Sequence, residues 1–420
     1  MLKFSFWQRV FALCLLLVLA ACGGAAGSSA SAPTGGITAT PGNGQVTISW
    51  QADAGVQYWL MYAPTTTAID IKNPPAGHIW ASNISSPYVI SGLTNGVTYS
   101  FAMNGRTGGG PGGAQTASVS AVPRAAGSSW IAGTTTLGTG DMNGVALGTA
   151  SDATVNYLAV GANGAMYKGP EGVSQGLTGM VWSALTPLAN INFHAASYAF
   201  SKFIAVGAAS NGASSNVYYS SDMASWTGVA TAGSTGLNAL ASNGTTVLAV
   251  GDGGKAFSST DGISWNVVNT GVGSNLYGVA YSSLAGWVVV GAGGTLLTST
   301  DLLSWHSPTS GAVSVDLRGV AVTSGNVFVA VGAGGTVLRS SDGAAWTSQT
   351  LASSNLYAVS TDSVQFLAVG ASGGIFSSLD GVSWTAVSQN ANANDLLAVV
   401  GTASKYMVVG KAGANISSIN

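Results

Sequence analysis

The chain has 420 residues, of which only 6% are charged, 12 basic against 14 acidic for a net charge of −2. So sparse a charge offers no basic patch to hold nucleic acid, and solubility must come from Ser, Thr, Asn and Gly. With 60 Gly and no long helical pattern, the composition points to an all-β chain of many short strands joined by tight turns.

Residues 1–22 hold Lys3 and Arg9, an apolar run from Val10 to Leu19, then Ala20, Ala21 and Cys22. The run is too short for a membrane span and ends in small residues, as a secretory signal does. Its end, Leu19-Ala20-Ala21-Cys22, resembles a bacterial lipobox. The resemblance implies cleavage before Cys22 and lipidation of its sulfur. Gly23 rather than Asp follows, which implies the outer membrane, facing the periplasm or the exterior. Acyl chains at ~0.8 kcal/mol per buried CH₂ would make that anchor effectively permanent. The other cysteine, Cys14, lies in the part removed, so no disulfide or thiol chemistry is expected.

Residues 23–36, GGAAGSSASAPTGG, read as a flexible tether. From Ile37 the pattern ITATPGNGQVTISW alternates as strands do, breaks at Pro41-Gly42-Asn43-Gly44 and reaches Trp50. Further on, YVISGLTNGVTYSFAMNGRT sets Leu93, Gly96 and Tyr99 in a fixed relation. Residues 33–124 thus resemble a fibronectin type III domain. The resemblance implies a β-sandwich with Trp50 in its core and Tyr99 in the tyrosine-corner position. Such domains are spacers or adhesive modules. Trp59 and Trp80 suit packing and exposure equally.

Residues 127–420 form a repeat array. An SxDGxxW-like turn returns with Asp four residues before Trp, at Asp222 and Trp226, Asp261 and Trp265, Asp301 and Trp305, Asp342 and Trp346, and Asp380 and Trp384. Apolar strands ending in Gly recur seven times, at Gly161, Gly207, Gly251, Gly291, Gly332, Gly370 and Gly410. Each follows a strand of the type LxxVA, as from Leu276 and Leu317, and runs on toward the turn, giving four strands per unit. Four-stranded units of about 40 residues without helices predict a β-propeller. Its ends fit together: ANISSIN aligns with GIFSSLD, and AGSSW aligns with DGISW, which puts Trp130 in the place of Trp265. The expectation is seven blades, one of them split between the two ends.

The turn resembles the Asp-box of sialidase-like propellers, one residue shorter between Asp and Trp. That resemblance implies a structural role, the carboxylate holding its own turn and Trp packing between blades, and a short acid at a turn suits that role physically. Sialidase chemistry lacks its parts, since the array holds only Arg318 and Arg339 as arginines and Glu171 as its sole glutamate. Photosystem assembly factors carry related repeats but use a basic patch, which two arginines do not provide. His194 and His306 are too isolated for a metal site.

No catalytic, metal or cofactor residue is therefore assigned. The reading favoured is a monomeric, membrane-anchored binding or scaffolding protein for a glycan or protein ligand. The alternative is a glycoside hydrolase using a carboxylate pair from Asp141, Asp152, Asp252, Asp316, Asp362 and Asp395. A ligand site should lie where the repeat departs from itself. Candidates are the singular residues Asp252, Lys255, Trp287, Arg318 and Arg339, although Trp287 begins a Gly strand and suits the core equally. Two insertions, Lys168 to Trp182 and Ala208 to Asn216, are expected side by side on one face.

Overall fold

The computed structural model describes residues 28–42, 44–123, 130–171, 179–211, 214–233, 236–362, 365–387, 393–402 and 405–418. The lipobox with Cys22 lies outside them, as do the middle of the first insertion and residues 212–213 of the second. The chain divides into two units, Met1–Ala125 and Ala126–Ile419.

In the first unit, Thr38–Gly42, Gln45–Ser49 and Tyr88–Ser91 form one sheet. A second sheet is built on Tyr99–Arg106, flanked by Gln57–Ala63 and Val119–Ala121, with Ile79–Ile84 beyond. Alternating residues of both sheets, among them Val46, Ile48, Leu60 and Phe101, share one core with Trp50, which meets Tyr58 edge-on at 5.7 Å. The Tyr99 hydroxyl accepts the Thr94 N–H at 3.2 Å, tying the strand to the turn before it. The flexible stretch is shorter than its composition implies, because Ser29–Ala30 pairs with Arg106 and Gly105 on the open edge of the long strand. Outside the core, Trp59 lies under the Arg106 guanidinium at 3.5 Å and Trp80 is 38% exposed.

Among the described residues of the second unit are seven small antiparallel sheets in chain order. Their first strands are Met142–Thr149, Ile191–Ala199, Leu237–Ser242, Leu276–Ser282, Leu317–Val322, Leu356–Thr361 and Leu396–Gly401. In sheet three the remaining strands are Val247–Gly251, Lys255–Ser259 and Asn266–Asn269. Second strands such as VLAVG and FVAVG are buried at every residue, because each lies between two neighbouring sheets and needs apolar side chains on both faces.

Seven apolar clusters join successive sheets, and each receives the tryptophan of the repeated turn or its equivalent, which leads into a fourth strand in six sheets and into the single bridge at His306 in sheet four. Trp265 of sheet three packs with Ile204 and Val206 of sheet two; Trp182 of sheet one packs with Met407 and Val409 of sheet seven. That last cluster links the end of the array to its beginning. Three polar contacts cross the same seam: Trp182 Nε1 donates to Asn415 Oδ1 at 3.2 Å, Lys405 meets Glu171 at 3.4 Å, and the Ala412 N–H reaches Asp141 at 3.2 Å. Sheet seven itself joins both ends, since Trp130–Ala132 pairs with Asn415–Ser418 as its outer strand.

The five repeated Asp residues each hold their own turn. Oδ1 of Asp261 accepts the N–H groups of Ile263 and Ser264 at 2.7 and 2.8 Å and the Ser259 hydroxyl at 3.0 Å. Asp222, Asp301, Asp342 and Asp380 repeat the pattern. The next residue sits at positive φ, Gly262 at 75°, where glycine carries no Cβ penalty, whereas sheets two and four put Met223 and Leu302 there at 60° and 64°. Indole N–H groups of Trp226, Trp346 and Trp384 close the same turns by donating three residues back.

Two departures from the repeat correct the sequence reading. Sheet four has three strands rather than four. Its Pro308 occupies the place of Val268 in sheet three and Gln349 in sheet five, where the backbone N–H faces the third strand. Proline has no N–H to give, and pairing stops after the single bridge of His306 to Thr298. The insertions, moreover, do not share a face. Sheet one keeps its turn after Gly161, with Met166–Pro170 as third strand, so its extra residues fall between third and fourth strands. In sheet two they fall between Lys202–Ala209 and Val217–Ser220, at the other end of the sheet.

Trp130 is 7% exposed and belongs to both the seam strand and the cluster between sheets six and seven. Trp130→Ala should cost about 3–5 kcal/mol and lower the melting temperature by more than Trp226→Ala, as thermal unfolding would register. Backbone N–H groups, the first cause in each case, hold all five turn carboxyls below their ordinary range, Asp261 at about 2. A depressed folded-state value means that the stabilisation is complete above the unfolded value near 4 and disappears as pH falls toward about 2. The melting temperature should therefore drop through that window, and in Asp261→Asn the wild-type advantage over the variant should shrink across it.

Candidate functional site

All seven first strands contribute three consecutive residues to one central cavity of about 520 Å³. The size suits a small ligand or the end of a larger one. Near its start each strand carries a β-bulge, where register slips by one residue against the second strand. A bulge re-aims the side chain of the extra residue. These seven residues, Asn143, His194, Asn238, Tyr277, Arg318, Tyr357 and Leu397, all line the cavity.

The ring they form has two unlike halves. In sheets one to three the bulge side chain bonds to the next sheet's first strand. Asn143 donates to the Phe193 carbonyl at 2.8 Å, and Asn238 donates to the Leu276 carbonyl at 3.0 Å and to Asp252 at 2.9 Å. His194 Nδ1 lies 3.1 Å from the Leu237 carbonyl and 2.9 Å from Asn238 Oδ1. In sheets four to six the equivalent side chains make contacts of another kind. The Arg318 guanidinium lies over the Tyr277 ring at 4.5 Å and donates to Asp316 at 2.8 Å. Tyr357 lies 3.4 Å from Asp395, which also holds Lys411 at 2.7 Å. Arg318 remains 41% exposed.

The acids of this end are engaged. Six of the seven sheets turn from their second to their third strand through a short 3₁₀ segment, and a backbone N–H there donates to an Asp or Asn at or just ahead of the start of the next first strand. Gly293 donates to Asp316 at 3.0 Å, Ser372 to Asp395 at 2.9 Å and Ala412 to Asp141 at 3.2 Å; Asn192, Asn275 and Asn355 take the same role. Among the described residues of sheet two no such segment follows the second strand, where the insertion falls, and Gly236 stands in the place of the acceptor. Lys411 first, then the Ser372 N–H, hold Asp395 below the ordinary carboxylate range, and Asp395 raises Lys411 in turn.

Of the residues singled out from sequence, Asp252 and Arg318 come to this opening, Arg318 inside it and Asp252 through Asn238. Lys255 is exposed at the start of a third strand, outside the cavity lining. Arg339 lies toward the opposite end of its sheet, with Nε donating to the Asp380 carbonyl at 2.8 Å. Trp287 is a correction: only 2% exposed and 4.9 Å from the Tyr281 ring, it packs between sheets three and four and offers nothing to a ligand. The other carboxylates do not converge in the cavity either. Asp152 caps an exposed turn at Thr154, and Asp362 is buried at the far end of sheet six. Composition missed the bulge ring. Its signal was the residue after the first apolar position of each LxxVA strand, where polar, aromatic, charged and apolar residues alternate from copy to copy while the other positions stay apolar or small.

No protein-family model matches the chain, and no curated protein matches it in sequence. Solved structures do resemble it in shape. YCF48 bound to D1 peptide aligns over 69% of this chain and 95% of its own at 14% identity, with a TM-score of 0.54. The WD40 propeller domain of Doa1 covers 70% and 96% at 10% identity and a TM-score of 0.53. Virginiamycin B lyase from Staphylococcus aureus covers 69% and 97% at 9% identity and a TM-score of 0.55. At such identities the likeness concerns fold alone: the chain contains a β-propeller.

Proposed function

We propose that this protein is a lipid-anchored binding protein of the cell envelope, whose propeller mouth takes a neutral, hydroxyl-rich ligand such as the end of a glycan. In this reading the seven sheets are seven blades of a ring closed by the split blade. The first unit is a fibronectin type III-like spacer, and Cys22 carries the acyl chains that hold both at the outer membrane.

The observation that carries the reading is the contrast between scaffold and bulge ring. Apolar strands, turn Asp and packing Trp repeat around the array, whereas the cavity-lining bulge position holds five residue types in seven sheets. Arg318 and Lys411 are each paired with an acid, and Asp141, Asp252, Asp316 and Asp395 outnumber these two cations, so the opening disfavours an anionic ligand. Tyr277, Arg318 and Tyr357 supply the hydrogen-bond donors and apolar ring surface that sugars use. A hydrolase would need one protonated carboxyl facing a second across the ligand. Asp395 is held ionised by Lys411 and the other three are bonded to the scaffold, which supports binding over cleavage.

The test is an array of cell-wall and environmental glycans probed with the purified protein, with product release followed in the same wells. Specific binding without cleavage is expected, and cleavage would replace this reading with the hydrolase. Arg318→Ala and Tyr357→Phe should each weaken binding about tenfold or more while the melting temperature holds, since both side chains sit at an opening rather than in a core. For the anchor, Cys22→Ser should abolish labelling by radioactive palmitate and release the protein from the membrane fraction.

A further inference from the structure

The strongest irregularity in the ring of sheets lies away from the channel. After His306 the chain leaves sheet four at Pro308 and crosses to sheet five. There Ser310 pairs in parallel with Ala345, Thr309 N–H donates to the Ala344 carbonyl at 2.9 Å, and Trp346 N–H donates to the Ser310 carbonyl at 3.3 Å. This is the beginning of a fifth strand on sheet five, and it ends at once. Gly311, at a φ of 79°, turns the chain outward.

Beyond that turn a groove of about 660 Å³ opens, with Ala312 to Val315 on one wall and Ser348 to Thr350 on the other. The direction of the backbone groups in that second wall follows from the ladder. Leu351 N–H donates to the Gly335 carbonyl just ahead of the third strand, so with a period of two Gln349 and Thr347 also face that strand. Ser348 and Thr350 then direct both N–H and C=O away from it, into the groove, on the same side as Trp346, which is already paired with Ser310. The outer strand of sheet five therefore offers a row of main-chain groups of which the chain itself satisfies the first and leaves the rest beside a walled cleft.

We propose that sheet five binds an extended peptide segment in this groove, added as a continuation of the fifth strand that Thr309 to Gly311 begins. Main-chain hydrogen bonds to Ser348 and Thr350 supply the affinity, as in strand addition generally. Val313 and Val315 on the facing wall select partners with small or apolar side chains. The groove lining carries no charge, so the segment is neutral. This site is independent of the channel mouth and of whatever binds there.

The experiment uses the full-length protein to select from phage-displayed random heptapeptides, followed by dissociation constants for the enriched synthetic peptides. Ser348→Pro removes one groove-facing N–H, and proline is tolerated at an edge position whose N–H leaves the ladder. Ser348→Ala keeps that N–H and removes only the hydroxyl. Val267→Pro makes the same change at the matching, exposed position of sheet three, outside the lining of this groove. Binding should fall at least tenfold in Ser348→Pro and stay within twofold of wild type in the other two. In the wild type, hydrogen exchange of the Ser348 and Thr350 amides should slow when peptide is bound, a readout that stands even where the proline variant fails to fold. Failure to enrich any peptide, undiminished binding by a folded Ser348→Pro, or slowed exchange elsewhere alone would overturn the proposal.

Discussion

Apolar contact between neighbouring sheets is what the second unit depends on. With charge confined to 6% of residues, little else is available to hold it together. Every second strand carries a short apolar run, such as VLAVG, WVVVG or YMVVG, buried on both faces, so no sheet has an inside of its own; each is the wall of two wedges. A wedge narrows toward the channel and widens outward. Small residues such as Ala249 and Ala330 on second strands and a tryptophan at the outer edge fit that taper. The same geometry explains why the sheets have so few strands and why the array must return to its start, since the first and last sheets would otherwise each leave one wall wet.

Polar groups are then distributed by end. At one end a carboxylate folds back on its own turn in five sheets; at the other an Asp or Asn reaches across to the preceding sheet's 3₁₀ segment. The two uses look alike in sequence, a short acid near glycine, yet one stabilises a hairpin and the other fixes the angle between sheets. The bulge lies beside the second set. A strand pinned by its neighbour immediately before the bulge holds that side chain in a defined direction whatever its identity, and this is what frees the position to differ among Asn, His, Tyr, Arg and Leu.

The scaffold was legible because it is repeated. Asp261 and Trp265 recur at fixed spacing, and the alignment of AGSSW with DGISW foretold that Trp130 would complete the sheet ending at Ser418. Tyr99 was legible for another reason, being tied to a turn only five residues away. What resisted reading was anything decided by register or by comparison across sheets. Arg318 was noticed as a rare charge, but its neighbours in the ring were not, because facing the channel depends on a bulge that leaves no mark in composition. Trp287 was singular in sequence and ordinary in space, a large side chain filling one wedge. The insertion after Lys168 was assigned to the wrong end because sheet one keeps its usual turn and spends the extra residues one connection later. Pro308 was visible all along; its effect followed only once its place opposite Leu296 in the ladder was known.

The pairing of Trp130–Ala132 with Asn415–Ser418 also sets an order of events in time. A chain emerging N-terminus first can assemble sheets one to six as their residues appear, each wedge closing on the one before it. Sheet seven waits for the last residues, and until they arrive the Trp182 wedge has one wall and the strand at Trp130 has no partner. Closing so long a loop adds entropy cost only logarithmically with its length, so the delay is kinetic more than energetic. During it the exposed apolar walls are the surface that a chaperone would hold, and the last four strand residues act as the catch that ends that exposure.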